Sequence, residues 1–224
     1  EEPIEGEPLP PRGGYTARIR KWCPSCPEAD RVARIAEEIR HSFVLMDNLL
    51  DLDPVRDGKQ AYWTVHGPKK TVRQAAWHLR QAEALLKPGE RDAFWRAIGE
   101  VVVGVEVELL LEDPSHPLWK SPPRAWKEVV RKEASFRELL FRLLGLPPRL
   151  GYLNGVAAQI LDDALEAIEG KPGRERRSDE AMGRLTFMRA YGVSPEKALE
   201  MGRALKAGTE ERLGRAYGTG SFGG

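Results

Sequence analysis

The chain has 224 residues, is 41% hydrophobic and 31% charged, and sets 35 Lys plus Arg against 34 Asp plus Glu for a formal net charge of +1. That length can bury one sizeable core, while the near balance of charge gives no overall field for nucleic acid or an acidic membrane surface, so an anionic ligand must be held by a local cluster. No apolar run reaches the roughly 20 residues of a membrane span, and the opening EEPIEGEPLPPRGG lacks the basic-then-apolar order of a signal peptide, so a cytoplasmic protein without stable membrane insertion is expected.

In chain order, residues 1–27 read as an irregular segment carrying the only two cysteines, Cys23 and Cys26 in WCPSC. A C-x-x-C pair just before a helix leaves a redox pair or half a zinc site open. No strand precedes it in a βαβ pattern and zinc needs two further ligands, for which His41 and His66 are candidates without supporting spacing, so two unreactive thiols are expected. His78 and His116 read as surface or locally hydrogen-bonded residues.

Helical periodicity dominates from there, with helices expected over 28–52, 70–86, 90–112, 123–144, 151–168, 179–190 and 195–207, and a short helical turn after Thr209. Proline- and glycine-containing stretches such as LDPVRDGKQ, KPGER and LGLPPRLG separate them. The run VVVGVEVELLL (101–111) is β-branched enough to resemble a strand, but its charged flanks and its continuity with RDAFWRAIGE favour a long buried helix. The expected organisation is one all-α bundle over 28–215 with a central cleft and a flexible tail over 216–224; in such bundles sites form from side chains on facing helices.

Two acidic clusters interrupt apolar helix runs. In QILDDALE, Asp162 and Glu166 stand at i and i+4 with Asp163 beside Asp162; in MDNLLDLD, Asp47 and Asp51 have the same spacing. A single such pair is usually a solvated helix face. Here each lies at the end of an apolar run and precedes a loop with glycine and cations, DPVRDGK or EGKPGRERR. Like charges gathered so closely repel unless a cation sits among them, and hard oxygen donors suit Mg²⁺.

These residues resemble the trans-isoprenyl diphosphate synthase family, whose members carry two aspartate-rich DDxxD motifs on facing helices of an all-α bundle. Gln159, Asp162 and Asp163 fit the FQxxDDxxD pattern, with Glu166 in the last acidic place and Ala158 where phenylalanine is usual. In the first motif Asp47 and Asp51 fit, Asn48 replaces the middle aspartate, Arg56 fits the first basic residue that follows and Asp57 replaces the second. VVRKEASF resembles the helix with the Lys-Thr pair, giving Lys132 as a phosphate contact with Glu133 in the threonine's place; GRLTFM resembles GKxT with Arg184 for lysine. RGGYTARIR keeps only Arg18 in a matching place of the basic segment that holds isopentenyl diphosphate.

The resemblance implies an isoprenoid-synthase-type bundle binding a prenyl diphosphate through Mg²⁺, as a homodimer or a heteromer with another prenyl synthase subunit. It implies Asp47, Asp51, Asp162, Asp163 and Glu166 as metal ligands; Arg18, Arg56, Lys132 and Arg184 as substrate contacts; Lys132 and Gln159 as catalytic groups; and Phe43, one turn before Asp47, as a floor limiting the prenyl chain. A non-catalytic or regulatory subunit, and a terpene cyclase or phosphohydrolase that ionises the diphosphate without condensation, remain the alternatives.

Overall fold

The computed structural model describes residues 14–56, 58–169 and 184–217. The order is α1 (Gly14–Trp22), α2 (Ala29–Leu50), β1 (Val55–Arg56), β2 (Lys59–Gln60), α3 (Tyr62–His66), α4 (Pro68–Ala84), α5 (Arg91–Leu110), α6 (Pro122–Val129), α7 (Arg131–Leu143), α8 (Pro148–Glu169), α9 (Phe187–Tyr191) and α10 (Pro195–Tyr217). The fold is all-α; the strands form one short ribbon, turned at Gly58 with φ 76°. Helix α1 lies within the segment expected to be irregular: Tyr15, Ile19 and Trp22 recur at i, i+4 and i+7 and are all buried.

By its contacts the chain forms two compact units, Glu1–Pro54 with Gln60–Leu86 and Val55–Lys59 with Lys87–Gly224. In the first, α2 packs on α4, and α1 docks on α2 through the Tyr15 backbone N–H, which donates to Glu37 Oε1 at 2.8 Å. In the second, α8 packs against α7 and α10, and α5 against α7. The strand-like run 101–111 is helical through Leu110 because burial follows the helix: Phe94, Ala97, Ile98, Val101 and Gly104 face inward, while Val102 and Val103 are exposed.

Three departures from expectation have local causes. The helix expected over 123–144 is interrupted at Val130, between α6 and α7, where Trp126, Val129 and Val130 all lie in the core with Ile160, Ala164 and Phe187. In the helix expected over 179–190, the described part starts only at Phe187, where Thr186 is an N-cap whose side chain accepts from the Arg189 N–H. Helix α10 runs on past Ala207 because buried Thr209 donates its hydroxyl to the Leu205 carbonyl at 2.7 Å, which satisfies it inside a continuous helix.

Of the glycines at helix contacts in the second unit, Gly155 and Gly104 lie nearest the start of α7. A Cβ at Gly155 would lie 2.5 Å from the Ala134 Cα, and one at Gly104 would lie 2.8 Å from the Lys132 backbone nitrogen. Their bareness lets α8 and α5 close on α7 and sets the neighbourhood of Lys132.

Candidate functional site

On α8 the acidic residues do not share one environment. Asp162 is exposed, whereas Asp163 and Glu166 are buried. The i,i+4 geometry makes Asp162 and Glu166 neighbours on one helix face, yet the tight packing around α8 turns the intervening Asp163 inward. Its carboxylate accepts from Gln159 Nε2 at 2.7 Å on Oδ1, and from the Phe187 backbone N–H at 2.7 Å and Trp126 Nε1 at 3.3 Å on Oδ2. One side chain thus ties α8 to α6 and to the start of α9. Burial pushes the Asp163 carboxyl up to about 6, against the opposing pull of these donors and of the Lys132 ammonium.

Two cations of this unit, Lys132 and Arg184, are engaged by carboxylates on α5 and just beyond its end. Lys132 Nζ donates to Glu108 Oε2 at 2.6 Å, and the buried Arg184 guanidinium lies 3.5 Å from Glu112 Oε1. Glu108 and Glu112 stand at i and i+4, the same spacing that singled out the aspartates, and the sequence reading passed over them because no motif contains them. Glu133, in the threonine's place, pairs with Arg137 Nε at 2.5 Å. Trp126 was also missed as a site residue; its ring meets Phe187 edge-on at 5.0 Å between centroids.

On α2, in the first unit, Asp47 is exposed at the surface and Asp51 is buried as the helix C-cap, with Asn48 buried between them. The last turn of α2 has no basic residue, so two carboxylates sit at the partially negative end of the helix, where a bound cation relieves the field. The chain leaves through a Schellman turn: the Asp53 N–H donates to the Asn48 carbonyl at 2.9 Å and the Leu52 N–H to the Leu49 carbonyl at 3.3 Å. Leu52, not glycine, holds the left-handed position at φ 55°.

Among solved structures the chain is similar to an isoprenoid synthase family member from Thermotoga neapolitana (17% identity, TM-score 0.69, covering 92% of this chain and 84% of that one). It is likewise similar to a geranyltranstransferase from Thermotoga maritima (18% identity, TM-score 0.69, covering 92% and 80%). The fold is that of the isoprenoid synthases. A polyprenyl synthase from Caulobacter crescentus, solved with calcium and isoprenyl diphosphate, matches at 18% identity and a TM-score of 0.61 over 92% of this chain and 76% of that one. No protein-family model matches the chain, and no curated protein does.

Within this isoprenoid synthase fold, Lys132, Gln159 and Asp163 come together, while Asp47, Asn48 and Asp51 gather separately at the end of α2. Phe43 is half-buried on α2. Arg18 is exposed on α1 with its guanidinium 5.1 Å from the centre of the Tyr15 ring. Arg56 lies in β1; Asp57, the part of the EGKPGRERR loop from residue 170 on and the tail from residue 218 on fall outside the described residues.

The cysteine expectation is corrected. Cys23 and Cys26 form a disulfide with Cα atoms 5.3 Å apart, because the turn before α2 brings the Cys26 N–H onto the Cys23 carbonyl at 3.2 Å. Bonded to each other, they are neither two separate thiols nor half a zinc site. His78 is hydrogen-bonded as expected but is buried, 4% exposed, and His116 accepts from the Leu118 N–H at 3.4 Å. No helix among the described residues is long and apolar enough to cross a membrane.

Proposed function

We propose that the protein binds a prenyl diphosphate with Mg²⁺ and performs transfer chemistry on it in isoprenoid biosynthesis. The observation that carries this reading is the isoprenoid synthase fold together with the Asp162-Asp163-x-x-Glu166 run on α8, with Gln159 and Lys132 acting on Asp163. The calcium and isoprenyl diphosphate bound by a protein of the same fold support it further.

The donors of each cluster fit such an ion: carboxylate oxygens alone, those of α2 at the cation-favouring end of the helix, suit a hard divalent cation and not a soft one. Asp47 and Asp51 on α2 are the ligands proposed in the first unit, and Asp162 and Glu166 on α8 those proposed in the second. Asp163 would have to surrender three donors to join them, so we assign it the role of fixing α8 against Trp126 and Phe187. Bound Mg²⁺ supplies neutralisation of charge developing on a leaving diphosphate.

The chain's own groups do the remainder. Lys132 and Arg184 exchange Glu108 and Glu112 for phosphate oxygens, Gln159 holds Asp163 in its rotamer, and Arg18 and Arg56 are further phosphate contacts. Phe43 is the apolar group that limits the prenyl chain and helps keep the allylic cation from water.

A second reading has its own support. Lys132 and Arg184 are already engaged by Glu108 and Glu112, which raises the cost of recruiting them and favours a weak homologue that acts as the partner subunit of an active synthase.

Incubation with an allylic diphosphate in excess Mg²⁺, with and without isopentenyl diphosphate, separates these readings. Diphosphate release with a lengthened product supports transfer, and release from the allylic substrate alone supports cyclase or phosphohydrolase chemistry. No release, together with altered activity or product length of a full-length synthase on mixing, supports the subunit role. Silence in every arm removes the proposal.

A further inference from the structure

The first unit contains a second polar cluster, on α2 and α4, that the prenyl diphosphate reading does not use. Glu38 and His41 stand at i and i+3 on α2 and so project from one face. His78 meets them from α4: its Nδ1 lies 2.6 Å from Glu38 Oε2, and its ring centre lies 5.2 Å from that of His41. One donor atom from each of the three residues falls within 4.8 Å of the others.

His41 is the anomaly in this group. It is 3% exposed, and neither Nδ1 nor Nε2 has a hydrogen-bond partner. Leaving buried polar atoms unsatisfied costs about 1–3 kcal/mol each, so proteins seldom keep such a side chain without a ligand for it. Water could satisfy one nitrogen, but it would not account for a second imidazole and a carboxylate converging on the same point.

We propose that Glu38, His41 and His78 form a binding site for a divalent transition-metal ion of the Zn²⁺ class, joining α2 to α4. Two imidazoles and one carboxylate are the donor set that zinc takes with a fourth position left open, and imidazole nitrogen discriminates against Mg²⁺. Zinc–ligand bonds of about 2.0–2.1 Å place tetrahedral ligand atoms roughly 3.3 Å apart, so side-chain movements on the order of 1 Å close the site.

The surroundings suit the ion. Burial and the neighbouring His78 push the His41 imidazole below its ordinary value, against the pull of Glu38 and Glu37, which favours the neutral form that ligates metal. To ligate through Nδ1, His78 gives up the Nδ1 hydrogen it shares with Glu38 and carries its single hydrogen on Nε2. Gln74, whose Nε2 lies 3.3 Å from His78 Nε2, can turn its amide so that Oε1 accepts from that Nε2–H and fixes the tautomer. Trp77 meets the His78 ring edge-on at 4.9 Å and shields it. The site is on the same helix as Asp47 but six residues earlier, about 9 Å along the axis.

The test is titration of the metal-free full chain with Zn²⁺ by calorimetry and with Co²⁺ by visible absorption, without reductant so that Cys23–Cys26 stays bonded. One equivalent of Zn²⁺ is expected to bind, excess Mg²⁺ not to displace it, and Co²⁺ to give d–d bands. Loss of an outer-shell partner alone weakens metal sites about 10–100-fold, so His41→Ala and His78→Ala should each weaken binding by at least about 100-fold. His66→Ala and His116→Ala should leave it unchanged. Nitrogen-15 spectra of the wild-type imidazoles should shift for two rings only, which reports the site even where a variant fails to fold. The absence of saturable one-to-one binding, or binding that survives His41→Ala and His78→Ala in folded protein, overturns the proposal.

Discussion

Asp163 and His41 are both buried polar side chains between packed helices, and they differ in what surrounds them. Asp163 has two oxygens and three protein donors, one of them a backbone N–H, whereas His41 has two ring nitrogens and no hydrogen-bond partner. The first is a fastening complete in the protein alone. The second has the character of an incomplete coordination sphere. The contrast teaches that a buried polar residue points to a ligand when its neighbours leave it unsatisfied, and that its presence in a family-like motif is a separate matter: Asp163 lies in such a motif, and His41 does not.

The largest way to break the contrast is Asp163→Ala. Truncation leaves the Trp126 indole, the Gln159 amide and the Phe187 N–H without their acceptor, and at about 1–3 kcal/mol per orphaned donor, partly relieved by water, a loss of about 3 kcal/mol in urea unfolding is expected. A loss below about 1 kcal/mol would show that the fastening is not one.

Asp163→Asn probes the same corner through its titration. The folded carboxyl is held up at about 6 while its ordinary value is 3.8. The folded state therefore keeps a proton that the unfolded chain releases, so this group's stabilising contribution is complete below about pH 4 and is lost as pH rises through about 6. In metal-free wild-type protein, stability should fall over that window by an amount on the order of a few kcal/mol. In Asp163→Asn that fall should vanish: the amide oxygen still accepts from Trp126 and Phe187, and Gln159 can turn its own oxygen toward the new NH₂. Asp162→Asn, at an exposed position, should keep the wild-type profile.

His41→Leu should behave in the opposite sense to Asp163→Ala. In chelator, replacing the unpartnered imidazole by an apolar side chain of similar size should leave stability unchanged or raise it by about 1 kcal/mol, while abolishing any gain in melting temperature from Zn²⁺. A loss of several kcal/mol in chelator would mean that the ring is satisfied after all.

The smallest effect belongs to the end of α2. Helix α7 closes with a Schellman turn on Gly145 at φ 72°, and α2 closes with the same turn on Leu52 at φ 55°, exposed to solvent at 65%. Relief of the left-handed strain outweighs the added freedom of glycine in the unfolded chain, so Leu52→Gly should raise stability by up to about 1 kcal/mol. Unchanged or lower stability would show that Leu52 has a compensating contact.

The helices were legible in the sequence wherever one apolar face and a glycine boundary coincided, as in LLGLPP, where Gly145 follows the end of α7, although α8 starts at Pro148, three residues ahead of the expected 151. Even the strand-like 101–111 resolved correctly, because its burial follows a period that its β-branched composition obscures. The break at Val130 and the continuity of α10 from Ala207 through Thr209 were not legible, since packing against other helices and one hydroxyl-to-carbonyl bond decide them. At the candidate site, residue types were readable and partners were not: nothing near Lys132 in sequence points to Glu108, and nothing near Asp163 points to Trp126. Glu38 and His41 carried a usable i,i+3 signal, but their third member, His78, comes from a different helix.

Binding of a prenyl diphosphate through Mg²⁺ is the property on which the proposed function depends. A calorimetric titration with an allylic prenyl diphosphate, in excess Mg²⁺ and again in chelator, tests it on the wild-type chain and on Asp47→Ala and Asp162→Ala. Saturable binding that requires Mg²⁺ and weakens in both variants is the predicted result. No binding in excess Mg²⁺, or binding indifferent to the metal and to both aspartates, would contradict the proposed function and leave the isoprenoid synthase fold without its ligand.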